Sequence, residues 1–173
     1  PFIYFCIKKK LSKNLLITII IVFIFGFFQA IVGWWMVKSG LSNDPYVSAY
    51  RLAFHLVNAL IIFSILFWLL LSLIYGIKEE KKYSKVFKFL FHIKLILIFI
   101  TIVSGALMAG TDAGKSFNTF PLMNDQFFPD GYYISEYGWK NYFENTIAIN
   151  FNHRWLAMFT FIFISAIVIY MLN

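Results

Sequence analysis

Leu15 to Val37 is a run of 23 residues in which only Thr18, Gly26, Gln29 and Gly33 interrupt an apolar series. A helix rises about 1.5 Å per residue, so the run is long enough to cross a hydrocarbon layer of roughly 30 Å. Three further runs follow, Leu52 to Ile77, Phe89 to Ala109 and Thr146 to Leu172. The fold class this predicts is all-α: a polytopic transmembrane helical bundle with four spans present. With 61% hydrophobic and 13% charged residues and a mean hydropathy of +0.75, the chain lacks the polar surface of a soluble domain.

Fifteen Lys and Arg outnumber eight Asp and Glu. Such an excess can signal nucleic acid, but these lysines cluster beside apolar runs and form no separate polar face, which favours the membrane surface and no nucleic acid. Nine of the fifteen cations fall in two clusters, Lys8 to Lys13 and Lys78 to Lys88. The positive-inside rule puts both clusters in the cytoplasm and residues 39–50 and 110–145 on the outer side. Trp34 and Trp35 suit the interfacial aromatic belt, where Lys38 can snorkel. Ser39 to Ala49, with Gly40, Asn43, Asp44 and Pro45, reads as a turn that returns the next span antiparallel. Asn145 or Thr146 is the expected N-cap of the fourth span. Cys6, the single cysteine, has no partner for an internal disulfide and is given no redox role. Pro1 to Ile7 runs from apolar residues into Lys8, Lys9 and Lys10, the reverse of a signal peptide, and a piece of a longer protein is expected.

Polar groups facing lipid are costly, so polar stripes on the spans should point into the bundle. Arg51, His55 and Asn58 fall at i, i+4 and i+7 on the second span, and Asn150, His153 and Arg154 cluster on the fourth. One histidine near a helix end is as easily an interfacial group or a helix–helix hydrogen bond. Two at matching depth, each with an arginine nearby and with Ala59 or Ala157 a turn below, point to a flat ligand that bears a metal and carboxylates, which is haem. His55 and His153 are then candidate axial ligands of haem iron, and Arg51 and Arg154 candidate propionate contacts. His92, near the opposite face and without an arginine, reads as interfacial. The segment Gly105 to Met123 is too particular for a mere connector: its glycines allow tight turns, Asp112 and Asn118 can bond backbone amides, and it reads as a lid over an outward-facing cofactor. Gln29-Ala-Ile-Val-Gly33 and Thr101-Ile-Val-Ser-Gly105 form a weak internal echo, each followed across a loop by a helix with histidine and arginine in its first turns. Their glycines also suit close helix packing.

Six strings occur in order along nearly the whole chain: GWWMVKSGL (33–41), VSAYRLAFHL (47–56), GALMAGTDAG (105–114), NTFPLM (118–123), FEN (143–145) and FNHR (151–154). Together they resemble the haem A synthase family, membrane enzymes that oxidise haem O to haem A for cytochrome oxidase, with the alphaproteobacterial and mitochondrial branch as the nearest likeness. The resemblance implies eight spans in two related four-helix halves, each with two histidines facing a haem site. The spans here would be the third to the sixth. Residues 1–78 would end the N-terminal half-bundle, 79–88 form a cytoplasmic linker, and 89–173 start the C-terminal half with its outer loop 110–145. His55 and His153 would serve different sites, one half holding haem b as cofactor and the other receiving haem O as substrate. The implied reaction hydroxylates a ring methyl twice, with water as oxygen source, and loses water to leave a formyl group. The family's catalytic glutamate, on its second span, lies outside this chain. Lys38 would join Arg51 and Arg154 as a propionate or interfacial contact. Further implied partners are membrane lipid, an unidentified electron acceptor, haem O synthase and a second copy of the chain, in the cell inner membrane. Thr101 stands where the family often has glutamine, Asn150 where glutamine is usual, and Met158 where tyrosine is frequent.

Two rival readings are a cytochrome b type electron carrier, with both histidines in one bis-histidine pair, and a structural or transport bundle without cofactor. Because each implied haem site keeps one histidine here, the 173-residue chain alone is expected to retain haem poorly and to be inactive. Titrating haem into the purified chain and recording its Soret band checks this; a stable bis-histidine spectrum with turnover of haem O would contradict it.

Overall fold

The computed structural model describes residues 2–40, 46–76 and 83–172. Leu41 to Pro45 of the expected turn, and the charged stretch Lys78 to Lys82, lie outside the described residues. α1 covers Phe2–Ile7, α2 Lys13–Val37, α3 Ala49–Tyr75 and α4 Lys85–Gly110. A loop with 3-10 turns at Ala113–Lys115 and Ser135–Lys140 then leads through α5, Asn141–Glu144, into α6, Thr146–Leu172. α2, α3, α4 and α6 are 25, 27, 26 and 27 residues long and apolar enough to cross a membrane. The chain is a multi-pass, all-α membrane protein, with no strand among the described residues.

Three helices start earlier than their apolar runs: α2 begins at Lys13, where Ser12 Oγ accepts from the Leu15 N–H, and α3 and α4 follow suit. Ser84 Oγ accepts from the Phe87 N–H at 3.1 Å, so α4 begins at Lys85, a turn before Phe89. α3 begins at Ala49 instead of Leu52 because the Ser48 N–H donates to Ser39 Oγ at 2.8 Å, while Ser39 Oγ donates to Met36 O at 2.6 Å. That pair of serines ties the exit of α2 to the entry of α3. At α6 the expected cap is Asn145, whose Oδ1 accepts from the Ile147 N–H at 3.0 Å. Hydroxyls inside the spans turn back on their own helices: Thr18 donates to Asn14 O, Ser64 to Leu60 O and Ser72 to Trp68 O. No lipid-facing hydroxyl hydrogen of these three is left unpaired.

α2 packs on α3, α3 on α4, and α4 on α6. The pairs run antiparallel: Gln29 meets Asn58 while Trp35 meets Arg51. The buried apolar cluster is small, Leu107, Ala113 and Ile149 with Ala49 and Met108 against it, and it sits at the loop end of the helices. Along the spans at most 11% of the most apolar stretch is buried. Side chains such as Trp68 and Phe161 therefore face outward, as a helix that is apolar all round does when lipid or further helices surround it.

The joint between α3 and α4 depends on Gly110. A Cβ placed there would lie 2.7 Å from Ala49 Cα and 2.8 Å from Ala49 Cβ, so the two backbones touch. Gly26 has nothing within 4 Å of the same position. Gly110→Val is expected to cost about 1–3 kcal/mol by overpacking, whereas Gly26→Ala should be neutral or slightly stabilising. Thermal unfolding in detergent, followed by circular dichroism, measures both; equal effects would contradict the assigned contact.

Candidate functional site

α3 carries His55 six residues beyond Ala49, and α6 carries His153 seven residues beyond Thr146. At 1.5 Å per residue both rings sit about 9–10 Å below the loop end. Each lies against a glycine of the preceding span. A Cβ on Gly33 would come within 3.0 Å of His55 Cε1, and one on Gly105 within 3.1 Å of His153 Cε1. Those glycines stand four residues before Val37 and five before Gly110, the ends of their helices. The internal echo in the sequence is thus a repeated contact, an imidazole seated on a glycine.

The two rings differ in what holds them. Asn58 Nδ2 donates to Gln29 Oε1, which turns the Gln29 amide nitrogen toward His55. That nitrogen lies 3.2 Å from His55 O and 3.1 Å from His55 Nε2. It donates to both, so Nε2 is the acceptor and the ring proton is assigned to Nδ1. Nδ1 itself is buried without a hydrogen-bond partner. Above it, Arg51 donates to Trp35 O at 2.8 Å and stacks 4.5 Å from the Trp35 ring, so its charge meets the carbonyl end of α2. Lys38 lies over the Trp34 ring at 4.9 Å.

In the other pair Ser104 Oγ donates to Thr101 O at 2.8 Å and lies 2.8 Å from His153 Nδ1. With its own hydrogen committed, the hydroxyl accepts from Nδ1–H, and Nε2 keeps its lone pair. The His153 ring lines a cleft of about 310 Å³ with Gly105, Met108, Ala109, Gly114 and Lys115. Thr101 bonds Thr160 across the α4–α6 interface at 2.9 Å. Asn150, fully buried, donates to Ala113 O at 2.8 Å and ties the first 3-10 turn to α6.

The 110–145 loop is fastened to α6. Arg154 Nη1 donates to Thr119 O at 2.6 Å, Leu122 O at 3.0 Å and Pro121 O at 3.3 Å. Thr119 Oγ1 accepts from the Asn124 N–H at 2.7 Å, an amide contact of the kind expected of Asp112 and Asn118. Asp112 instead accepts from Lys115 Nζ at 2.8 Å, and this ammonium holds its carboxyl below the ordinary range. Phe128 and Tyr132 pack on Phe151 with ring centroids 4.6 and 5.0 Å apart. Burial pushes the Tyr132 phenol up. Asn141, fully buried, donates to Tyr132 O at 2.8 Å and accepts from the Ile134 N–H at 2.9 Å and Asn145 Nδ2 at 3.0 Å. His92 stands apart, its Nδ1 2.5 Å from Lys88 O in the first turns of α4.

A haem axial ligand is a neutral imidazole whose other nitrogen is fixed by a hydrogen bond. His153 has that form, with Ser104 on Nδ1, and fits the group; His55 is a neutral, buried ring in a defined tautomer, but Gln29 engages its Nε2 and its protonated Nδ1 has no partner. Sequence reasoning singled out both histidines as candidates but missed Gln29 and Ser104 as their hydrogen-bond partners, and Thr160 as the partner of Thr101. The available signal was a polar side chain next to, or one turn before, each echoed glycine.

The family described as "Cytochrome oxidase assembly protein" matches residues 1–173. The chain belongs to that family. Among relatives of the cytochrome oxidase assembly protein family, "Heme A synthase" of Wolbachia pipientis wMel is 44% identical over 159 residues, covering 91% of this chain and 45% of the relative. "Heme A synthase" of Bartonella henselae is 44% identical over 161 residues, with coverages of 92% and 44%, and that of Ehrlichia canis 39% over 167 residues, with 96% and 48%. This family member therefore spans about half the length of the curated relatives it matches. No solved structure matches it. The sequence resemblance is borne out at the level of the family.

Asn141→Ala is expected to strand the Ile134 N–H, leave Tyr132 O with its 3.2 Å bond from Asn145 Nδ2, and cost about 1–3 kcal/mol of loop stability. Limited proteolysis should then cut within residues 118–140 while the four long helices keep their circular dichroism; unchanged proteolysis would contradict the anchoring role.

Proposed function

We propose that the protein acts in haem A synthesis, oxidising the ring methyl of haem O to the formyl group of haem A for cytochrome oxidase assembly. The observation that carries this reading is the repeated seat of an imidazole on a glycine at one depth, in two successive helix pairs. Relatives named "Heme A synthase" at 39–44% identity support it. In this reading His55 and His153 would hold haem iron in separate half-sites, one for haem b and one for haem O. Bound haem b supplies one-electron transfer. Ser104 keeps the His153 ring in one tautomer, and the glycines keep both rings from rotating. Arg51 and Arg154 each use one N–H edge on backbone carbonyls, and a guanidinium has five N–H groups, so others remain for propionates. The start of the 110–145 loop, Asp112 to Lys115, forms one wall of the His153 cleft. Residues 1–78 and 89–173 would belong to two half-bundles joined by 79–88, with the basic clusters cytoplasmic in the cell inner membrane and the loop on the outer side.

The electron-carrier alternative needs both rings in one cavity. Among the described residues their hydrogen bonds and glycine contacts share no partner: His55 has Gln29 and Gly33, and His153 has Ser104 and Gly105.

In cells that depend on this gene for haem A, His55→Ala and His153→Ala are each expected to abolish haem A and leave haem O in extracted pigments. Ser104→Ala should keep the fold and weaken haem retention at least about tenfold, as losing a ligand's orienting partner does. Normal haem A with both histidines replaced would refute the reading.

A further inference from the structure

Gln29 and Asn58 have no part in the function so far, yet they form a tightly constrained polar contact within the membrane-spanning segments. Asn58 is 4% exposed, and an amide buried at that depth is tolerated when its polar atoms are engaged. Its Nδ2 donates to Gln29 Oε1, and the Gln29 amide nitrogen faces both the ring and the carbonyl of His55. Reversing the Gln29 amide would set its oxygen against His55 O and its nitrogen against the Asn58 amide nitrogen. Neither end accepts the flip, so the orientation follows from two contacts outside the imidazole.

With that orientation the first pair covers the lone pair of His55 Nε2, while the ring proton lies on the buried Nδ1. The second pair does the opposite. Thr101, the counterpart of Gln29 in the internal echo, turns to Thr160, and Ser104 takes Nδ1 from the other side, so no described hydrogen bond reaches His153 Nε2. The same seat on glycine therefore presents a covered ligand nitrogen in one half and an open one in the other.

We propose that Gln29, oriented by Asn58, is a positioning residue that occupies the ligating nitrogen of His55 and must withdraw before that nitrogen takes a porphyrin iron. This rests on the reading of His55 as an iron ligand. Entry at His55 breaks a hydrogen bond that entry at His153 does not.

Two measurements on the purified full-length membrane protein test it. In porphyrin-free protein labelled with ¹⁵N-histidine, His55 Nε2 should show the shift of a hydrogen-bonded acceptor. Gln29→Thr, which copies the other half, should move that signal and leave that of His153 in place, with His55→Ala and His153→Ala giving the assignments. On mixing with ferric protoporphyrin IX, Gln29→Thr should raise the association rate at His55 about tenfold, the size of one net hydrogen bond. Gln29→Met keeps the side-chain length without the donor and should act in the same direction, which separates the lost bond from lost packing. Unchanged ¹⁵N shift and rate in both variants, or porphyrin loading that falls at both sites together with Tm, would make the contact purely structural and overturn the proposal. Porphyrin uptake unaltered by His55→Ala would overturn the ligand reading itself, and the proposal with it, while the nitrogen shift would still report whether Gln29 holds the ring.

Discussion

Everything at the candidate site depends on an imidazole being pressed against a helix that has no side chain at the point of contact. Gly33 and Gly105 let the neighbouring helix approach until ring and backbone meet, with the ring carbon 3.0–3.1 Å from where a Cβ would stand. Hydrogen bonds between helices in a membrane are worth only about 0.6 kcal/mol on average, because unfolded helices in lipid find partners too. Two such bonds on His55 and one on His153 therefore orient the rings, while close packing holds the helices together. A methyl group at either glycine would displace the ring or part the helices. For that reason the glycine and the histidine form one unit, and the pair appears twice.

Around this repeated unit the two halves diverge. On α2 and α3 the ring is held by a chain of amides, Asn58 to Gln29 to His55, and Arg51 closes the end of α2 above it. On α4 and α6 a hydroxyl holds the ring from the opposite nitrogen, and the loop is tied down by Arg154 and by the buried Asn141 and Asn145. The α3–α4 contact at Ala49 and Gly110 brings the two units side by side at their loop ends.

The architecture was legible because span length is a one-dimensional property: four runs of about the right length leave little choice. Helix starts were less so, since Ser84 and the Ser39–Ser48 pair extend α4 and α3 beyond their apolar runs. His55 and His153 stood out as polar residues on otherwise apolar helices. Their partners did not: the stripe Arg51, His55 and Asn58 turns one face of α3 inward, but which side chain of the facing helix meets the imidazole is settled by packing. The segment Gly105 to Met123 was legible as more than a connector, from its glycines, but the anchors of the loop were not. Asn141 and Arg154 act on carbonyls many residues away, and carbonyls leave no mark in a sequence.

In the proposed function the two imidazoles belong to separate sites, each built on its own glycine. Low-spin ferric electron paramagnetic resonance of the purified full-length protein, loaded with porphyrin, tests it most directly. Two distinct signals are predicted, one lost in His55→Ala and the other in His153→Ala. A single signal that disappears in either variant would mean one shared bis-histidine centre and would contradict the account.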